Sequence, residues 1–389
     1  MRRHRIFIIA IVACFHSLTI SSQPRLQAEN IDDVIAAMTL EEKCHLVLGC
    51  GMSYGDDAKF PGTAGSTYAI PRLGIPKTYC ADSNQGLRMS ARRDFDSRNY
   101  FCTDYMTSIS LASTWDKDAA YRIGKGIGNE TKEYGLDWIL APSMNLMRNV
   151  LCGRNHEYYS EDPYLSGTIA AHYVMGIQSE GTAACVKHFA ANSQETNRNA
   201  NDSRVSQRAL RELYLRNFEL AVRISNPWTV MTAYNSINGK PTCEDISLTE
   251  TVLRGEWNYK GLVVSDWNAG SNATASMVAG NDMLQPGQDK QYHELLANAK
   301  NGSLPMAVLD RNVKRILQFI VKCHNFNNYT YSNEPDLKQH AADDRKIGAE
   351  GMVLLKNENV LPLLTGQNVA LYGCTSYDII PGGTGFGGT

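Results

Sequence analysis

Long apolar stretches are scarce in this chain. Beyond the first 15 residues no run approaches the roughly 20 apolar residues that cross a bilayer, so no transmembrane span is expected. Charge of one sign is lacking as well: 38 Lys and Arg stand against 40 Asp and Glu, a formal net charge of -2. With no basic arm or stripe, a nucleic-acid partner is excluded, and a neutral or weakly polar small molecule is the expected ligand. Closely spaced cysteines are missing. Outside the leader, Cys44, Cys50, Cys80, Cys102, Cys152, Cys185, Cys243, Cys323 and Cys374 contain no Cys-x-x-Cys pair. That spacing offers neither a zinc site nor a disulfide scaffold, and burial as small hydrophobes is the simpler reading. The sequons at Asn129, Asn201, Asn272, Asn301 and Asn328 are too short a pattern to carry weight.

What is present is bulk. At 389 residues and 43% hydrophobic, the chain can bury a core of about 250 residues with a smaller piece beside it. It opens with Met1-Arg-Arg-His-Arg5 and the short apolar run Ile6 to Phe15, the charged and hydrophobic regions of an export signal. Cleavage after Ser21-Ser22 would leave a protein in the periplasm or outside the cell. Ile11-Val-Ala-Cys14 offers a lipoprotein anchor as the lesser alternative, because Leu18 and Ile20 carry the apolar signal past it.

From Asn30 to Leu48 the residues Ile31, Val34, Ile35 and Met38 recur at helical spacing, and Thr39-Leu-Glu-Glu42 reads as a capping box. Apolar runs of strand length then alternate with longer amphipathic stretches: KTYCADS (77 to 83), TSISLAST (107 to 114), LDWILAP (136 to 142), AACVKHFA (183 to 190), WTVMTAYN (228 to 235) and GLVVSDW (261 to 267). Between the fourth and fifth, Gln207 to Ile224 places Leu210, Leu213, Phe218 and Ala221 on one helical face. Near-continuous apolar strands that alternate with helices imply a buried parallel sheet. A (β/α)8 TIM-like barrel is the natural closure, with an open doubly wound sheet as the alternative. Asp82, Lys187-His188, Tyr234-Asn235 and Asp266 each fall at the end of a different run. Chemistry drawn from the C-terminal ends of several strands is how a barrel builds a site. Helix capping accounts for any one of them alone. It does not account for four together.

Past Cys323 the composition becomes polar, and residues 324 to 346 read as a linker between a barrel at 30 to 323 and a further piece at 347 to 389. In that piece a helix (347 to 356) and a strand (368 to 373) are expected. They are too little to bury their own apolar faces, so a missing C-terminal domain or a second chain is needed to complete them. Gly383-Thr-Gly-Phe-Gly-Gly388 fits a dinucleotide fingerprint, but it stands some ten residues from its strand with no helix behind it. No cofactor is expected.

GRNHEYYSEDPYLSG (153 to 167), CVKHFAANSQETNR (185 to 198), MTAYNSINGKPT (231 to 242), LRGEWNYKGLVVSDW (253 to 267) and AGNDMLQPG (279 to 287) resemble, in order and spacing, the barrel domain of glycoside hydrolase family three, especially its β-glucosidases. The resemblance runs from about Ile31 onward and implies a barrel followed by the truncated start of an α/β sandwich domain. It implies a retaining hydrolase, with no metal and no cofactor, acting on a terminal β-D-glucosyl residue of a β-glucoside or oligosaccharide. Asp266 then matches the nucleophile. Asp82, Arg154, Lys187, His188 and Trp267, and with them Arg88, Arg198, Met231 and Tyr234, match the sugar-binding set. Read without the family, Arg154 and Arg198 pair with Glu157 and Glu195, and His188 is an interior histidine.

Two departures bear on function. The family draws its acid/base glutamate from the second domain, and no residue of this sequence matches it. Phe386 stands in the Gly-rich loop where relatives carry a small residue such as Ser. Impaired hydrolysis is therefore expected, with a non-catalytic sugar-binding fragment or a β-xylosidase as alternatives. A lyase with Lys187 as a Schiff-base nucleophile is the distant third.

Overall fold

The computed structural model describes residues 23–51, 59–93 and 96–378. The expected leader at 1–22 and the Gly-rich run lie outside the described residues. The main sheet contains β1 (Gly65–Ser66), β2 (Tyr79–Asp82), β3 (Trp138–Leu140), β4 (Ala183–Phe189), β6 (Thr229–Thr232) and β9 (Leu262–Ser265), in that spatial order. The short β5 (Asp202–Ser203), β7 (Ser236–Ile237) and β8 (Lys240–Pro241) form a separate three-stranded ribbon.

β2 through β9 of the main sheet run parallel, while β1 pairs antiparallel with β2. Two extended segments close the ring. Met283 bridges Val264 and Leu284 bridges Leu48, both in the parallel sense. The Cys50 amide then donates to the Ser66 carbonyl at 3.0 Å, which returns the sheet to β1. The closure is a TIM-like barrel of eight staves with one of them reversed.

Successive residues of each stave feed different cores, as the two-residue strand period requires. Ala81, Ile139, Ala184, Val186, Val230 and Val263 pack under helices Lys117–Glu133, Pro163–Ser179 and Arg216–Ser225. Cys80, Trp138, Leu140, Cys185, Met231 and Val264 join a second core with helix Met306–Ile320 and the N-terminal helices. The first two covering helices approach unusually closely. A Cβ on Gly124 would sit 2.1 Å from the Tyr173 carbonyl, and one on Gly176 the same distance from that of Tyr121. Glycine is required there because backbone meets backbone.

Five of the six expected strands form, and TSISLAST does not. It is helix Ser108–Ser113, capped by the Thr107 side chain on the Ser110 amide. Its buried residues, Ser108, Leu111 and Ala112, follow a helical spacing, with Ile109 turned out at 44% exposure. The Thr39–Glu42 capping box is present as expected. In the 207–224 stretch Leu210, Phe218 and Ala221 are buried but Leu213 is 44% exposed. A π-helical segment, Leu210–Tyr214, shifts the phase of that helix, and Leu215 takes the inward position.

Beyond the barrel, the helix expected at 347 to 356 instead runs Leu337–Glu350, beginning inside the stretch read as a linker and ending just past it. It is docked rather than free. His340 Nδ1 meets Glu130 Oε1 at 2.8 Å, Asp344 accepts from the Met106 amide, and Ile347 is buried in the first core. No strand forms at 368 to 373. An isolated strand without a neighbour leaves its ladder groups unpaired, and Val353, Leu355, Leu371 and Tyr372 all stand exposed.

Candidate active site

The polar residues singled out at strand ends converge. Asp82 ends β2, Lys187 and His188 lie near the end of β4, Tyr234 follows β6 by two residues, and Asp266 follows β9 directly. β4 and β6 lose regular register between Val186 and Phe189, so consecutive Lys187 and His188 occupy an irregular part of the stave.

Lys187 Nζ donates to Asp82 Oδ1 at 2.7 Å, forming a donor and acceptor pair on one wall. Arg154 is the hub of a second set of contacts. Its Nε donates to Glu157 Oε1, its Nη2 donates to His188 Nε2 at 2.9 Å, and its Nη1 is 3.6 Å from Glu195 Oε1. Burial works against the Arg154 charge, but Glu157, Tyr158, Asp266 and Glu195 more than offset it and hold the guanidinium ionised. Arg198, 39% exposed, donates to Glu195 Oε2 at 2.8 Å and lies 4.4 Å from the Tyr234 ring centroid.

His188 is buried, and burial followed by the charges of Arg154, Lys187 and Arg198 drives its pKa well below the usual value. The ring is neutral. Its Nε2 accepts from Arg154, so the proton is on Nδ1, which points at Asn145 Oδ1 3.2 Å away. The 3.6 Å approach of His188 Nε2 to Asp266 Oδ2 is therefore not an ion pair.

Asp266 is buried. Desolvation raises its pKa to about 6, against the opposing pull of Arg154, the Trp267 amide, Lys187 and Tyr234. The Trp267 amide fixes Oδ1 at 2.7 Å, while Oδ2 has no hydrogen bond within ordinary distance. Burial and the Asp266 charge push the Tyr234 hydroxyl upward, so it remains a donor. The Trp267 indole nitrogen is likewise buried without a hydrogen bond. The result is an oriented carboxylate with one free oxygen, ringed by fixed donors and an acceptor. Such a set suits a neutral polyhydroxylated ring with an electrophilic carbon opposite the carboxylate.

Asp82, Arg154, Lys187, His188, Arg198, Tyr234, Asp266 and Trp267 are thus brought together. The Arg88 amide donates to the Asp82 carbonyl at 3.0 Å, which puts Arg88 beside the group by its backbone. Met231 is buried in the apolar core with Cys185 and Val264. Sequence reasoning missed Asn145. Its Oδ1 takes the His188 amide at 2.9 Å and its Nδ2 donates to the His188 carbonyl at 2.8 Å. Asn84 was missed as well, and donates to Glu157 Oε2 at 3.0 Å. Both lie in the loops that follow β3 and β2, beyond the apolar runs themselves, so a rule that looks at the ends of those runs passes them by.

Residues 69–319 match the family model described as the glycosyl hydrolase family 3 N terminal domain. The chain is 38% identical over 369 residues to beta-glucosidase B of Emericella nidulans, covering 92% of this chain and 42% of that protein. It is 39% identical to thermostable beta-glucosidase B of Acetivibrio thermocellus, covering 89% of this chain and 45% of that protein. Among solved structures, beta-glucosidase 3B from Thermotoga neapolitana in complex with alpha-D-glucose superimposes with a TM-score of 0.89 at 46% identity, over 92% of this chain and 52% of that one. The chain spans less than half the length of these two curated relatives.

Proposed function

The chain belongs to glycosyl hydrolase family 3, and from that premise we propose that its barrel is the glycone-binding and nucleophile-bearing part of a retaining β-glucosidase. The observation that carries this reading is Asp266: a buried strand-end carboxylate with Oδ1 fixed and Oδ2 free amid hydroxyl-binding partners. In the reaction Asp266 Oδ2 attacks the anomeric carbon, the bond to the leaving oxygen breaks, and a glycosyl ester forms. Asp82 and Lys187 hold ring hydroxyls, and Arg154 balances the nucleophile's charge.

Protonation of the leaving oxygen needs a second carboxyl about 5 to 5.5 Å from the first. Among the described residues the barrel glutamates nearest this chemistry are committed elsewhere. Glu157 serves Arg154 and Asn84, and Glu195 serves Arg198 and faces Arg154. We therefore assign the proton donor to a residue outside the barrel. The barrel by itself would form the glycosyl-enzyme from activated glucosides and turn over slowly. Lys187, engaged by Asp82 at 2.7 Å, fits hydroxyl recognition better than imine chemistry. We propose from the charged and apolar residues at positions 1 to 15 that the mature protein is exported.

The test is a dinitrophenyl β-glucoside, whose leaving group needs no proton. A burst followed by near arrest, with the adduct mapped by mass spectrometry to Asp266 and turnover restored by azide, is expected. Full steady-state hydrolysis of cellobiose by the barrel alone would contradict the assignment of the proton donor to a residue outside it. Absence of both burst and glucose binding would contradict the glycosidase reading itself.

A further inference from the structure

Beside the Asp266 loop, Gln285 is fully buried, and its side-chain Oε1 and Nε2 both lack a hydrogen bond. Its backbone is pinned to that loop: the Gln285 backbone N–H donates to Ser265 Oγ at 2.9 Å, and its carbonyl accepts from the Asn268 amide at 2.9 Å. From there the side chain runs across two glycines. A Cβ on Gly49 would stand 2.0 Å from Gln285 Oε1, so only glycine leaves room for the amide there. One on Gly65 would stand 3.5 Å from that same oxygen and 3.5 Å from Cζ2 of Trp267. Cζ2 lies on the edge of the indole that carries Nε1, which is also buried without a hydrogen bond. An acceptor and two kinds of N–H donor are thus desolvated together, a costly state unless a ligand completes it. A single hydroxyl, with one proton and two lone pairs, is their complement.

The place of Gln285 around the barrel says which hydroxyl. Asp266 and Asp82 are joined by two arcs of staves. One passes β6, β4 and β3 and carries Lys187, His188 and, after β3, Arg154. The other passes the Met283–Leu284 and Leu48 segments and β1, and carries Gln285, Gly49 and Gly65. A pyranose has two edges between its anomeric carbon and C4: one bears two hydroxyls, the other the ring oxygen and the hydroxymethyl group. The arc with the two cations fits the hydroxyl pair, which leaves the hydroxymethyl group for Gln285. We infer that Gln285, with the Trp267 indole, binds the primary hydroxyl of the glycone and makes the site select a hexopyranoside over a pentopyranoside. This rests on the glycosidase reading above.

The experiment compares labelling of the full chain by dinitrophenyl β-glucoside, by its 6-deoxy analogue, which lacks only that hydroxyl, and by the β-xyloside, with the Asp266 adduct followed by mass spectrometry. The parent should label with the glucoside about 100-fold faster than with either analogue, because each analogue leaves the buried amide unpaired. Gln285→Met keeps the length of the side chain without its polar atoms. It should shrink that ratio about ten-fold, and it should melt no lower than the parent, since it removes a desolvated amide. A parent that labels as fast with the 6-deoxy glucoside, a ratio that survives in Gln285→Met, or a variant that melts well below the parent would each overturn the inference. Labelling by none of the three glycosides would remove the glycosidase reading along with it, and that outcome alone does so.

Discussion

Two aspartates at opposite ends of the barrel are driven by burial to the same pKa, about 6, and they differ in how their oxygens are partnered. Asp137 precedes β3 at the N-terminal end. Its Oδ1 accepts from the Asn325 amide at 2.8 Å, and its Oδ2 accepts from the Tyr79 amide at 2.9 Å and from Asn325 Nδ2 at 2.6 Å. Asp266, at the C-terminal end, is given one amide and left with a free oxygen. A raised pKa marks desolvation and does not mark function. The state of the remaining lone pairs separates a carboxylate whose oxygens are both engaged from one that keeps an oxygen without a hydrogen bond.

The sharpest way to break this comparison is to neutralise both. Asp266→Asn should lower the rate of adduct formation from an activated glucoside by about three orders of magnitude or more. Asp137→Asn should leave that rate within a few-fold. Equal losses would show that the two ends are not distinct. Stability should respond the other way. Asp137→Asn turns an amide NH2 toward backbone donors and should cost about 2 kcal/mol in denaturant unfolding.

Asp266→Asn should stabilise the fold at neutral pH. Because the folded value, about 6, lies above the ordinary aspartate value of 3.8, the folded state retains a proton that the unfolded chain releases. The stability contributed by the neutral acid is complete below about pH 4 and is lost as pH rises through 6. The Asn variant should therefore gain about 1 to 3 kcal/mol at pH 7.5 and nothing at pH 4, measured as melting temperature across that range. The same ionisation governs reactivity, so adduct formation should fall about ten-fold per unit below pH 6. The smallest effect is expected far from both carboxylates. Thr39→Ala removes a capping box and should cost about 1 kcal/mol, with labelling at Asp266 unchanged.

How much of this was legible in advance follows from which signals are local. The strands carrying Asp82, Lys187 and Asp266 are continuous apolar runs ending in a polar residue, and that pattern survives in one dimension. TSISLAST was misread because a six-residue helix with two buried apolar positions has nearly the composition of a strand. The helix at 337–350 was hidden because one buried Ile and a buried His–Glu contact hold it, leaving its surface polar. Asn145 and Asn84 act on other side chains rather than on a ligand, and such support becomes visible only when neighbouring staves are placed side by side.

The reversed stave has a mechanical consequence. Between Cys50 and Ser66, among the described residues, the ring is fastened by the bond that the Cys50 amide makes to the Ser66 carbonyl, and β1 itself is two residues long. β4, by contrast, is clasped by neighbours along much of its seven residues. A hoop loaded evenly parts at its thinnest joint, so amide exchange at Cys50 should outpace that at Val186 by orders of magnitude. Gly65, on that joint, lies against the Trp267 ring. Opening of the seam should therefore reach the Trp267 side of the Asp266 cluster, and tightening it should slow the exchange of any ligand bound against that ring.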